Sequence, residues 1–116
     1  MPGLNQNIDI KIEIADNSPE VLAAVETAIK RALWAIGEKA TNHAAAYAPY
    51  RTGNLSTSID HEEHEHTTCI GTDVEYAKAQ EYGTSRGIVG KHYMQKAVTG
   101  HSDEYRNLAK ESLQNV

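Results

Sequence analysis

The sequence predicts a single domain that mixes strands with helices, the α+β class. Three observations carry this. The stretch "IDIKIEI", residues 8–14, alternates strictly between isoleucine and charge, which marks a half-buried strand. From 19 to 47, apolar residues recur at steps of three and four, the period of an amphipathic helix. A second strand-like stretch, "SIDHEEHEHTTCIGT" at 58–72, follows with a polar bend inside it.

Residues 1–7 are polar, with Pro2 and Gly3, and read as a flexible arm. In the strand 8–14, Ile8, Ile10, Ile12 and Ile14 share one face, and Asp9, Lys11 and Glu13 the other. Asp16 and Asn17 make a turn. Ser18 suits an N-cap, Pro19 suits the first helical position, and Glu20 meets the positive end of the helix dipole. Leu22, Val25, Ile29, Ala32, Leu33, Ile36, Ala40, Ala44 and Tyr47 form the apolar stripe of the helix 19–47. Gly37 weakens that helix slightly and is expected to mark a close contact with the sheet. Pro49 stops it, because the residue before a proline is pushed out of helical geometry.

The corner "YAPYRTGNLSTSI" then turns the chain from helix to sheet. Thr52 can cap a turn through its hydroxyl. Gly53 supplies a positive φ, and Asn54 tolerates one. Leu55 and Ile59 re-enter the core. Tyr50 and Arg51 stand at the tip, available to a partner; a corner with no further role fits the residues equally well. After the strands of 58–72, "VEYAKAQEY" at 74–82 reads as a short helix. Residues 83–91, rich in glycine, read as a flexible loop. "HYMQKAV" at 92–98 is ambiguous between strand and helix. Ser102 can cap a last helix, 102–114, with Asp103 and Glu104 in its first turn and Leu108, Ala109 and Leu113 facing inward.

Composition excludes several classes. The 116 residues suit one modest core. A net charge of −5 argues against a protein that grips the DNA backbone or reads its sequence, which needs clustered Lys and Arg. Cys69 stands alone, so no intrachain disulfide can form, and it reads as a small buried hydrophobe. "MPGLNQNIDI" lacks a basic segment followed by an apolar one, so no signal peptide is expected. No apolar run approaches the roughly 20 residues of a membrane span. The expectation is a soluble protein of a reducing compartment, with no membrane partner.

"HEEHEH" is the most tempting ligand set. His64 and His66 would share one strand face, and His61, Glu63 and Glu65 the other. Imidazole with carboxylate suits zinc or nickel. Residues 60–66 hold four acids and no base, however, so a solvated hairpin tip is the reading adopted, with no metal and no cofactor. "SRGIVGKH" misses a phosphate loop at two positions: Ser85 replaces the first glycine, and His92 the hydroxyl residue. No Gly-x-Ser-x-Gly elbow surrounds Ser56 or Ser58, and Cys69 has no activator beside it. No enzyme is expected.

Two segments together resemble a family of long-tailed bacteriophages. One is Ala45-Ala46-Tyr47-Ala48-Pro49, then Thr52-Gly53-Asn54-Leu55, then Ser58-Ile59. The other is Ile70-Gly71-Thr72, Val74-Glu75-Tyr76-Ala77 and Glu81-Tyr82-Gly83-Thr84, trailed by Tyr93-Met94 and Ala97. Their order and spacing resemble the small neck proteins called minor tail, tail-completion or head–tail joining proteins. The likeness covers residues 44–98. Tyr50-Arg51 stands where the family has an aliphatic–acidic pair, Lys96 where proline is common, and the acidic His-rich insert belongs to this chain.

The resemblance implies a long helix packed on a small antiparallel sheet. It also implies a homo-oligomeric ring in the virion neck or tail end, made in the host cytoplasm, without catalytic residues. A hexamer would match a tail tube. Head-closure, tail-terminator and tail-tube proteins would be its neighbours. Tyr50, Arg51, Tyr82, Arg86, Lys91 and Tyr93 are the interface candidates. Two other roles stay open: a tail terminator capping the tube, or a prophage or host binding module that uses the His-rich hairpin. A small hydrolase is the remainder.

Overall fold

The computed structural model describes residues 4–11, 18–48, 54–74, 77–83, 90 and 92–114. Three strands form an antiparallel sheet: β1 (Leu4–Asp9), β2 (Asp60–His64) and β3 (Thr67–Thr72), in the order β1-β3-β2. Among the described residues five helices accompany it: α1 (Pro19–Tyr47), α2 (Asn54–Ser58), α3 (Ala77–Tyr82), α4 (Tyr93–Thr99) and α5 (Ser102–Gln114). The chain is thus an α+β domain with one long helix, as its patterning predicts.

Helix α1 has the expected bounds. Ser18 accepts the Val21 N–H at 3.4 Å, Pro19 opens the first turn, and Ala48 turns extended at the C-terminal cap. Val25, Ile29, Ala32, Leu33, Ile36, Ala40 and Ala44 are buried, and they pack on the sheet and on α4 and α5. The stripe fails at both ends. Leu22 and Tyr47 are exposed on the flank of the helix, although Val25, Ala44 and Ala48 beside them are buried. Gly37 does mark a close approach: a Cβ there would lie 2.5 Å from His61 Nδ1 and 2.7 Å from Thr68 Oγ1.

The first strand corrects two expectations. Residues 4–7 belong to β1 rather than to a loose arm, and the strand ends at Asp9. Pairing with β3 extends from Leu4↔Thr72 to Asp9↔Thr67, so the partner strand sets its limits. Leu4 and Ile10 are buried and Ile8 half-buried on the inner face. Ile12 and Ile14 lie outside the described residues.

The hairpin β2–β3 turns at Glu65 and His66, and Glu65 takes a left-handed φ of 47°. The ambiguous stretch 92–98 resolves to helix from Tyr93 on, as α4, with His92 preceding it. Ser102 is the first residue of α5 and donates its hydroxyl to the Thr99 carbonyl at 2.9 Å, instead of capping the helix by accepting an N–H. Leu108, Ala109 and Leu113 are partly buried against the core. No helix among the described residues is long and apolar enough to cross a membrane.

Candidate functional site

The residues proposed from sequence scatter. Pro49, Tyr50, Arg51, Thr52 and Gly53 of the corner lie outside the described residues, as do Arg86 and Lys91. Asn54 and Leu55 open α2, and Leu55 is buried in the core. Tyr82, at the end of α3, is 57 % exposed and is available to a partner. Tyr93 is not. It is 0 % exposed, and its hydroxyl donates to the Ala77 carbonyl at 2.9 Å, tying α4 to α3. An aromatic beside a glycine-rich segment reads as surface in sequence, but here it is a buried anchor between two helices.

The His-rich hairpin separates its histidines. His64 is exposed and faces Glu62 at 3.5 Å, while His66 reaches Glu26 of α1 at 3.1 Å. His61 turns inward under α1, with its side chain only 8 % exposed. This corrects the picture of a wholly solvated tip. His61 Nδ1 lies 2.6 Å from Glu63 Oε2, and His61 Nε2 lies 3.1 Å from Glu38 Oε1. Thr68 donates to the same Glu63 oxygen at 3.0 Å. Burial lowers the His61 pKa, but the Glu63 and Glu38 carboxylates outweigh it and leave it raised above the ordinary value. Both ring nitrogens face carboxylate oxygens, so both can donate only when the ring is charged.

Above this buried network stands Trp34, the only tryptophan, edge-on to His61 with ring centroids 6.0 Å apart. It is 57 % exposed on the outer flank of α1. The opposite face of the sheet is polar and open: Asn7, Asp9, Asp60, Glu62 and His64 are exposed there, with Cys69 half-buried between them.

A second cluster joins the C-terminal half of α1 to the start of α5. His43 and His101 stack in parallel, with centroids 3.6 Å apart and planes inclined by 6°. His43 Nε2 lies 3.1 Å from Glu104 Oε2, and His101 Nδ1 lies 3.4 Å from the same atom. The Tyr47 hydroxyl shares a 2.7 Å hydrogen bond with His101 Nε2. Lys39 Nζ approaches Glu104 at 3.9 Å. Partial burial raises the Glu104 pKa, yet His43, Lys39 and His101 together leave it below the usual carboxylate range. Beneath the cluster, the buried Tyr105 donates its hydroxyl to the Ala97 carbonyl. Burial and the neighbouring Glu104 push the Tyr105 pKa up.

Sequence reasoning missed this cluster. Two signals pointed to it. Lys39, His43 and Tyr47 recur at four-residue steps along one side of α1. His101 and Glu104 stand three apart at a helix start, where side chains meet.

Neither cluster holds an activated nucleophile. The Ser58 hydroxyl is bound to the Leu55 carbonyl at 2.8 Å and to Thr72 at 2.6 Å. Cys69 lies on the open sheet face, and burial pushes its thiol up, away from the reactive thiolate. Among protein-family models, curated proteins and solved structures, no match to this chain is found.

Proposed function

We propose that the chain is a structural protein of a bacteriophage neck or tail end that assembles as a homo-oligomeric ring and performs no catalysis. The single observation that supports this best is Trp34. It is the largest apolar side chain the sequence holds, and it stands 57 % exposed at the middle of α1 while Ile29, Leu33 and Ile36 of the same helix fill the core. Tryptophan exposed in this way is enriched at the centres of protein interfaces. Tyr82 supplies a second exposed aromatic beside the glycine-rich segment 83–91. The motif order around the corner and around Ile70–Tyr82 gives the reading its viral context. The acids of 60–66 suit a surface that must not hold DNA, since like charges repel phosphate.

The test is the assembly state. Light scattering and electron microscopy of the purified chain should show rings, six-membered if they match a tail tube. Trp34→Ser, and separately Tyr82→Ala with Arg86→Glu, should shift the population to monomer with unchanged circular dichroism. A parent chain that stays monomeric at every concentration, or variants that form unchanged rings, overturns the proposal. Binding of the rings to purified tail tubes would place them as a terminator. Binding to the closed head would place them as a joining protein.

A further inference from the structure

We infer that His43, His101 and Glu104 form a binding site for one divalent transition-metal ion of the zinc class. The inference is independent of the assembly reading. Each of the three residues offers one ligand atom, and the three atoms lie within 4.8 Å of one another. Two edges of this triangle are close to what such an ion needs. Zinc bonds of about 2.0–2.1 Å in a tetrahedron set ligand atoms about 3.3 Å apart. Here Glu104 Oε2 lies 3.1 Å from His43 Nε2 and 3.4 Å from His101 Nδ1.

The donor set is two imidazoles and a carboxylate, which suits zinc, cobalt or nickel better than magnesium or calcium. An outer partner is also in place. Tyr47 holds His101 Nε2 at 2.7 Å, so Nδ1 is the nitrogen left to face Glu104. Ligand histidines are commonly fixed by a hydrogen bond at the second nitrogen. All three ligand residues are half-buried, so an ion can enter from solvent. Three protein ligands leave a fourth position for water or for a donor from another chain.

Two features must yield when the ion enters. The imidazole planes are parallel and 3.6 Å apart, so their lone pairs lie in parallel planes and cannot meet at one point. His101, placed between the end of α4 and the start of α5, turns to bring Nδ1 to the ion. Lys39 also competes for Glu104, but its side chain is 55 % exposed and can swing into water. Loading therefore replaces a stacked pair and an ammonium contact with a metal clamp between α1 and α5.

The test uses the full chain without an affinity tag and with Co²⁺ as the probe, followed by displacement with Zn²⁺. The expected result is one ion per chain, with the visible absorption of a four-coordinate cobalt site and loss of His43–His101 stacking shifts in NMR spectra. His43→Gln and His101→Gln should each weaken binding by about 100-fold or more, since losing a ligand costs at least as much as losing its outer partner. Lys39→Met should tighten binding, and this variant keeps every ligand, so it reads the site even if a histidine variant folds poorly. His64→Gln with His66→Gln should bind as the parent does. The inference is overturned if the parent takes up no cobalt, or if His43→Gln and His101→Gln bind as tightly as the parent. Loss of binding in the His64/His66 variant would likewise assign the ion to the hairpin and overturn it.

Discussion

At Gly37 α1 comes close to the sheet, and what it approaches decides how it tolerates change. An alanine in mid-helix normally stabilises by about 1 kcal/mol over glycine. Here the new methyl would meet the ring of His61 and the hydroxyl of Thr68, both at less than 3 Å. The ring cannot step aside cheaply, because its nitrogens are held by Glu63 and Glu38. Overpacking typically costs about 1–3 kcal/mol. Gly37→Ala should therefore lower stability by about 1 kcal/mol net in urea melts. A raised midpoint would mean that His61 yields freely. The sequence was enough to place a close contact at Gly37. It did not name the neighbour, because residues 60–66, with four acids and three histidines, read locally as solvated. The alternation did pair His61 with Glu63 on one face. That this face is the covered one depends on the space left by a glycine 24 residues earlier.

Among the elements, α4 was the least legible, and the reason is physical. Its start carries no local cap: His92 sits there with a left-handed φ of 51° and makes no side-chain capping bond. The cap comes from Glu81, in α3. That carboxylate is 0 % exposed and accepts the Met94 N–H at 2.8 Å and the Gln95 N–H at 3.2 Å. A cap delivered from another helix leaves no signature in a short window. Glu81→Gln keeps the shape but turns an amide N–H₂ toward backbone donors. Leaving a buried donor unsatisfied costs about 1–3 kcal/mol. The expected outcome is a lower melting temperature, with hydrogen exchange fastest at the start of α4. Uniform exchange across the chain would argue against a capping role. The opposite case is α1, whose cap, proline and apolar period all lie within its own sequence, and its bounds were legible to the residue. Strand β1 falls between. Gln6 breaks the apolar alternation, so the pattern began at Ile8, whereas pairing with β3 carries the strand back to Leu4.

For the whole molecule, pH is the lever that the two histidine clusters supply. Raised above its ordinary 6.5 by two carboxylates, His61 adds stability that is fully present below 6.5 and is lost as pH rises through its folded value. Glu104, lowered from 4.5, adds stability that is present above 4.5 and is lost as pH falls through its folded value. The two contributions overlap between these limits. Calorimetry should show the melting temperature falling as pH rises above about 6.5, in the direction this linkage requires. His61→Gln should flatten that fall; an unchanged slope in the variant would remove His61 as its source.

The junction of α3 and α4 has one more consequence. The His92 N–H bonds the Glu81 carbonyl at 3.0 Å, and a Cβ on Gly90 would lie 2.6 Å from the Tyr82 carbonyl carbon. Tyr82 and Gly90 are thus held together at a single seam. For two points already held together, chain added between them brings the entropy cost of closing a longer loop, and each doubling of loop length costs about 0.6 kcal/mol. A longer connection between Tyr82 and Gly90 should therefore leave the melting temperature nearly unchanged, provided the seam itself is kept.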